Sequence, residues 1–166
     1  MEYGKCCFIS EKAHIGEGVK IGPFTIIEDD VSIGANTTIG SYVFLGKYTK
    51  IGADCKIDHY VRSSGKNCIG NGVTIRYGAT IARMVSVKDN CFISPNVMTI
   101  YTRPDGTPMP GTVIGPNSFI GTAAVIRGGV IIGARVTIGA MSYVNKNCLK
   151  PGTYFGIPAK YIEDLD

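Results

Sequence analysis

Aliphatic residues recur at every sixth position along most of this chain. Ile9, Ile15, Ile21, Ile27, Ile33, Ile39, Leu45, Ile51, Ile57, Ile69, Ile75, Ile81, Val87 and Ile93 keep the step, and Ser63 is its one exception. The step resumes at Ile114 and continues through Ile120, Ile126, Ile132, Ile138 and Val144. Of 21 positions so spaced, 20 carry Ile, Leu or Val. A fixed short period of this kind is the mark of a solenoid, and it outweighs any reading of the chain element by element.

The remaining positions of the hexad explain the period. Two residues before each aliphatic stands a small or β-branched residue, as at Val19, Thr25, Val31, Thr37, Val43, Thr49 and Cys55. The residue between the two is polar in many repeats, so each repeat reads small-in, polar-out, large-in, the alternation of a short strand with one buried face. Gly often follows the aliphatic, as in Ile15-Gly16, Ile21-Gly22 and Ile138-Gly139. These glycines are expected to make the corners, because glycine adopts backbone angles that other residues resist. Strand and corner in alternation predict a coil stacked on itself, each strand pairing with its counterparts about 4.8 Å above and below.

This pattern resembles the hexapeptide-repeat acyltransferases. The resemblance implies an all-β fold, a left-handed parallel β-helix in which three hexads make one triangular coil. Handedness rests on the resemblance alone, since parallel connections in general favour the right hand. The expectation is one domain over residues 1–166 with about seven coils, a loop insertion at 99–113 and a C-terminal tail at 150–166. Residues 1–8 are expected to cap the open end, and Ser63 to mark a bulge or a less buried edge. The tail is expected to add a closing strand and a short helical end.

The 99–113 interruption contains Arg103, Pro104, Asp105, Gly106, Pro108, Pro110 and Gly111, which is turn chemistry. In a solenoid such an insertion projects as a loop, and projecting loops gather on the functional face. The family carries an insertion of this kind that reaches a neighbouring subunit.

Composition narrows the partners. A net charge of +4 with no basic run gives no case for nucleic acid. The sequence has no apolar run of membrane-spanning length and no signal-peptide pattern at its start, so a cytoplasmic protein without a membrane span is expected. Six cysteines show no Cys-x-x-Cys spacing, and Cys55, Cys91 and Cys148 fall on the small inward position, as core filler in a reducing compartment.

The C-terminal third carries the sharpest resemblance. Val144-Asn145-Lys146-Asn147 followed by Gly156-Ile157-Pro158-Ala159-Lys160 is similar to the closing signature of galactoside- and maltose-type and nucleotide-aminosugar acetyltransferases. Carried over, Thr122 and Ala140 line a groove for the pantetheine arm of acetyl-CoA, with Asn145 and Lys146 beside it and Lys160 at a phosphate. An Arg of the galactoside type is replaced here by Glu163.

The catalytic base of those enzymes does not carry over. Their Gly-His-Pro element, a little beyond a Pro-Asn-Val like Pro95-Asn96-Val97, reads Thr102-Arg103-Pro104 here. Arg76-Tyr77 occupies the level of an Asn that both enzyme types use. Arg103, Asp105, Arg76 and Tyr77 are therefore the candidate acceptor contacts. Of the two histidines, His59 is the candidate catalytic residue and His14 the weaker one. An amine acceptor needs less help from a base than a hydroxyl does, which favours N- over O-acetylation of a sugar or nucleotide-aminosugar. Two readings compete. One is a non-catalytic β-helix scaffold, favoured by the missing Gly-His-Pro. The other is a γ-type carbonic anhydrase, which shares the fold but needs three histidines per zinc. The resemblance implies a homotrimer with sites between subunits.

Overall fold

A computed structural model describes residues 2–162. They form three sheets of ten, eight and seven strands around one core. Every pairing between strands is parallel apart from the last, Gly152–Phe155 with Lys160–Ile162. Lys20 lies opposite Thr38, Thr38 opposite Lys56, and Lys56 opposite Thr74, one coil of 18 residues at each step (38 − 20). The architecture is the expected left-handed parallel β-helix, and no helix occurs among the described residues.

The coil count differs from the expected seven. The parallel strands number nine, eight and seven on the three faces; at three to a coil, these 24 strands make eight coils. Both chain ends extend the pairing where no aliphatic announces it. Glu2–Tyr3 pairs with Lys20–Ile21, and Gly152–Phe155 pairs with Val136–Ile138, so Tyr3 and Tyr154 stand where the repeat has Ile. The short helical end is absent from the described residues. The tail is instead an antiparallel hairpin whose Tyr161 packs edge-on against Tyr154 at 5.1 Å.

The corner glycines have a different role from the expected one. Positive φ falls on the third residue after the aliphatic, as at Asn36 (59°), Tyr42 (58°) and Asn96 (57°), and not on the glycine that follows it directly. At Gly22 a Cβ would lie 2.7 Å from backbone atoms of Gly40 and Ser41 in the next coil. That glycine is required by the close approach of stacked corners.

The aliphatic column is the core: Ile27, Ile39, Leu45, Ile57, Ile75, Ile81, Ile93, Ile114, Ile120, Ile126, Ile132 and Ile138 are fully buried. Burying each such side chain contributes roughly 1.5–3 kcal/mol. Inward threonines are tied at the corners; Thr25 Oγ1 donates to the Gly40 carbonyl (2.8 Å) and Thr37 Oγ1 to that of Gly52 (2.9 Å). Ser63 makes no bulge. It lies buried in a regular strand, with its hydroxyl 2.7 Å from Thr49 Oγ1 and 2.8 Å from Asn67 Nδ2, and Asn67 Oδ1 accepts from the Val85 amide. A polar cluster replaces one aliphatic without breaking register, because each of its buried groups has a partner.

Candidate functional site

Two corners of the prism carry the candidate residues. The first joins the ten-stranded face to the eight-stranded face. His59, Tyr77, Pro95, Thr122 and Ala140 occupy its middle position, one per coil. Amides of the following residues link them: Gly78 to the His59 carbonyl (3.2 Å), Asn96 to Tyr77 (3.0 Å), Ala123 to Pro95 (2.9 Å) and Met141 to Thr122 (2.8 Å). Four coil steps separate His59 from Ala140, about 19 Å along the axis. The structure thus places the candidate catalytic residue, one acceptor candidate and both groove residues in one column. An aromatic ladder on the same corner overlaps the column's lower end: Phe24 stacks on Tyr42 at 5.0 Å, Tyr42 on Tyr60 at 4.9 Å, and Tyr77 leans on Tyr60 at 5.3 Å.

His59 is exposed at this corner and lines a cavity of about 440 Å³ on the ten-stranded face with Lys56, Thr38 and Asp58. Its Nδ1 accepts the Ser41 amide at 2.8 Å. A neutral imidazole has one acceptor nitrogen and one donor nitrogen. With Nδ1 accepting, the proton sits on Nε2. His59 therefore offers a hydrogen-bond donor to a ligand, and its lone pair is already taken. Asp58 does not orient it; Asp58 Oδ2 holds Arg76 Nε at 3.0 Å. Arg76 is accordingly ion-paired beside Tyr77.

The second corner joins the eight-stranded face to the seven-stranded face and carries the loop. Phe92 pairs with Phe119, a step of 27 residues (119 − 92) where other coils take 18, so the insertion adds nine. Met98–Thr99 and Val113–Ile114 are still strands, which narrows the excursion to residues 100–112. Thr99 is buried at the aliphatic position and continues the repeat as Ser63 does. Within the loop Thr102 and Pro108 form an antiparallel bridge. Arg103 Nη1 donates to Thr107 Oγ1 and to the Pro108 carbonyl. Asp105 accepts the Thr107 hydroxyl at 2.6 Å and the Thr107 amide at 2.9 Å. Those two bonds, the hydroxyl's first, hold its carboxyl below the ordinary carboxylate range. Arg103 and Asp105 thus shape the loop as well as being exposed on it.

Asn145 and Lys146 lie on this second corner, one coil beyond Arg127, whose amide bonds the Val144 carbonyl at 2.9 Å. They do not stand beside Thr122 and Ala140. The strand Tyr143–Val144 separates them, so the four residues flank the two edges of the eight-stranded face. Lys160 opens the final strand, opposite Phe155. The Gly156–Ala159 turn before it crosses onto the eight-stranded face, where Gly156 accepts the Tyr143 amide (3.0 Å) and the Ala159 amide bonds the Tyr143 carbonyl (2.8 Å). The closing signature therefore terminates the sheet, at the end of the helix where the groove candidates lie.

Sequence reasoning missed Arg127, Tyr143 and Met109, which line a cavity of about 540 Å³ under the loop together with Arg103. Arg127 follows Ile126 at the place a corner glycine often takes, and that departure was the available signal.

Residues 12–47 and 111–146 match the bacterial transferase hexapeptide family (six repeats). No curated protein matches the chain in sequence. Among solved structures, UDP-N-acetylglucosamine acyltransferase from Campylobacter jejuni superposes with a TM-score of 0.79 at 19% identity, covering 97% of this chain and 74% of that one. The polySia-specific acetyltransferase NeuO gives 0.71 at 18% identity, with 97% and 84% covered. The acetyltransferase domain of PglB from Neisseria gonorrhoeae, in complex with acetyl coenzyme A, gives 0.51 at 21% identity. There 96% of this chain is covered but only 56% of that one, so the chain spans just over half of its length. At these identities the superpositions establish the fold.

Proposed function

From the premise that this chain is a hexapeptide-repeat protein, we propose that it is an acetyl-CoA-dependent acetyltransferase acting on a sugar or nucleotide-aminosugar. The single observation that carries the reading is the first corner. Its column runs from small side chains at Ala140 and Thr122 down to Tyr77 and His59, an order that lets a thioester donor lie along one end and its acceptor at the other. The fold is also that of proteins named as acyl- and acetyltransferases, one of them solved with acetyl coenzyme A.

In this reading the pantetheine arm lies along Thr122 and Ala140, and the thioester points toward the level of Tyr77. Lys160 and, across the face, Asn145 and Lys146 stand at the nucleotide end. Arg76 and Tyr77 contact the acceptor on this corner, and Arg103 and Asp105 reach it from the loop across the eight-stranded face. The acceptor nitrogen attacks the thioester carbonyl, the carbon–sulfur bond breaks, and CoA leaves as a thiol carrying the proton the amine gives up. His59 contributes its Nε2–H, a donor that orients the acceptor or the carbonyl. Because its lone pair is committed to Ser41, the reading favours an acceptor that enters as a neutral amine, hence N-acetylation. Positioning of this kind supplies several kcal/mol without a protein base.

The functional unit in this reading is a homotrimer. The aromatic ladder from Phe24 to Tyr77 lies open, with its rings about half exposed, and large exposed apolar patches mark association surfaces.

The test is release of free thiol from acetyl-CoA in the presence of a panel of nucleotide-linked and free amino sugars. Release that depends on one amino sugar supports the reading. No release with any of them, together with no binding of acetyl-CoA, overturns it.

A further inference from the structure

The cavity under the loop is lined by two arginines and by no acidic residue. Arg103 reaches it from the insertion and Arg127 from the next coil, while no Asp or Glu lines it. Among the described residues the Arg127 side chain makes no hydrogen bond or ion pair. The Arg103 guanidinium is hydrogen-bonded through Nη1 alone, which leaves its other donors without a partner among the described residues. Asp105, the nearest acid in sequence, spends its carboxylate on Thr107.

The cavity is built by the fold and is not an accident of surface side chains. The Ile100 amide bonds the Ile126 carbonyl at 2.8 Å, which sets Ile100 directly against Arg127 on the coil ladder. The Met109 amide returns to the Tyr101 carbonyl at 2.6 Å and folds the loop back over the corner. At Gly128 a Cβ would lie 2.6 Å from Met109 Cβ and 2.8 Å from the Ile100 carbonyl oxygen. The residue after Arg127 must therefore be glycine for the loop to sit where it does. Tyr143, half-buried, also lines the cavity, and its hydroxyl has no partner among the described residues.

Two exposed cations lining one cavity without a carboxylate among them make it attractive to a multiply charged anion. Guanidinium groups present planar donor pairs that match phosphate oxygens two at a time, and the Tyr143 hydroxyl adds a third donor. Met109 and Ile100 supply an apolar rim, of the kind that seats the uncharged part of a larger ligand.

We propose that this cavity is a phosphoanhydride-binding site in which Arg127 and Arg103 clamp a pyrophosphate. The pyrophosphate belongs to either of two molecules, a nucleoside diphosphate carried by the acceptor or the CoA of the donor. Only that last assignment rests on the acetyltransferase reading; the site itself does not.

The test is calorimetric titration with inorganic pyrophosphate at low ionic strength, using the full chain and three variants. Arg127→Gln is expected to lower affinity by about tenfold or more, and Arg103→Gln to do likewise. Arg62→Gln, on the eight-stranded face outside the cavity, is expected to leave affinity unchanged. Thermal unfolding of Arg127→Gln close to that of the parent shows that the loss is local. Pyrophosphate that does not bind the parent chain, or binds Arg127→Gln as tightly as the parent, overturns the proposal. Titrations with UDP and with CoA then separate the two sources. A loss confined to UDP assigns the site to the acceptor, and a loss confined to CoA assigns it to the donor. Loss of both shows one site taking either, and unchanged affinity for both overturns the proposal. A chain that binds pyrophosphate through Arg127 yet releases no thiol from acetyl-CoA keeps this site and loses the acetyltransferase reading.

Discussion

At the scale of single residues, the repeat specifies chemistry only where the side chain faces inward. The aliphatic column was legible because burial admits few alternatives to Ile, Leu and Val. Ser63 was misread because its partners, Thr49 and Asn67, lie 14 residues before it and four after it, and no local pattern pairs them. The consequence is testable. Ser63→Ile restores the repeat yet strips Thr49 and Asn67 of a partner and overfills their space. It is expected to lower stability by about 1–3 kcal/mol, read from urea unfolding; an increase in stability would contradict the polar cluster as drawn. Cys148 offers a second test. Burial pushes its thiol up to about 11, so near pH 8 its thiolate is roughly one part in a thousand. Iodoacetamide at that pH is expected to modify exposed Cys6 and Cys68 long before Cys148 in the folded chain, as peptide mass mapping would show.

At the scale of elements, the loop interrupts the coil and is the source of the second corner's chemistry. Its existence and rough limits were legible from the broken period. Its shape was not, because that rests on contacts between non-repeating and repeating residues, such as Met109 over Gly128. Gly128→Ala is expected to displace the loop and weaken pyrophosphate binding while leaving the core intact; unchanged binding would show that the loop position is not set there. The loop tip also has a pH dependence of fixed sign. The Asp105 carboxyl is held below its ordinary value by the Thr107 hydroxyl and amide. Its contribution is therefore complete above the unfolded value of about 3.9 and is lost as pH falls through the lower folded value. Hydrogen exchange at the Thr107 amide is expected to stay protected from neutral pH through the ordinary carboxylate range and to lose that protection only as pH falls through the lower folded value. Asp105→Ala is expected to abolish the protection at every pH.

At the scale of the whole molecule, stacking turns distant sequence positions into neighbours by simple addition. His59, Tyr77 and Pro95 follow at 18-residue steps, Thr122 follows at 27, and Ala140 at 18 again, so one corner collects residues spread over half the chain. The column was not legible beforehand, since it requires the length of the insertion to be known to the residue. The same addition puts Asn145 and Lys146 on the other corner, against their expected place beside Thr122. The exposed aromatic ladder leads to the expectation of a homotrimer, three times the 17.7 kDa chain mass in light scattering. A stable monomer at micromolar concentration would remove the ladder's assigned role.

Binding of acetyl-CoA along the upper part of the first corner is open to a single titration. Thermal unfolding is followed with increasing acetyl-CoA for the parent chain and for Ala140→Trp, whose indole would fill the track between Thr122 and the end of the helix. The melting temperature of the parent is expected to rise with ligand, corresponding to about 2.7 kcal/mol of stabilisation at a hundredfold excess over Kd. No rise is expected for Ala140→Trp, provided that variant melts near the parent in the absence of ligand. A parent chain whose melting temperature does not move at millimolar acetyl-CoA, or an Ala140→Trp chain that responds as the parent does, would contradict it.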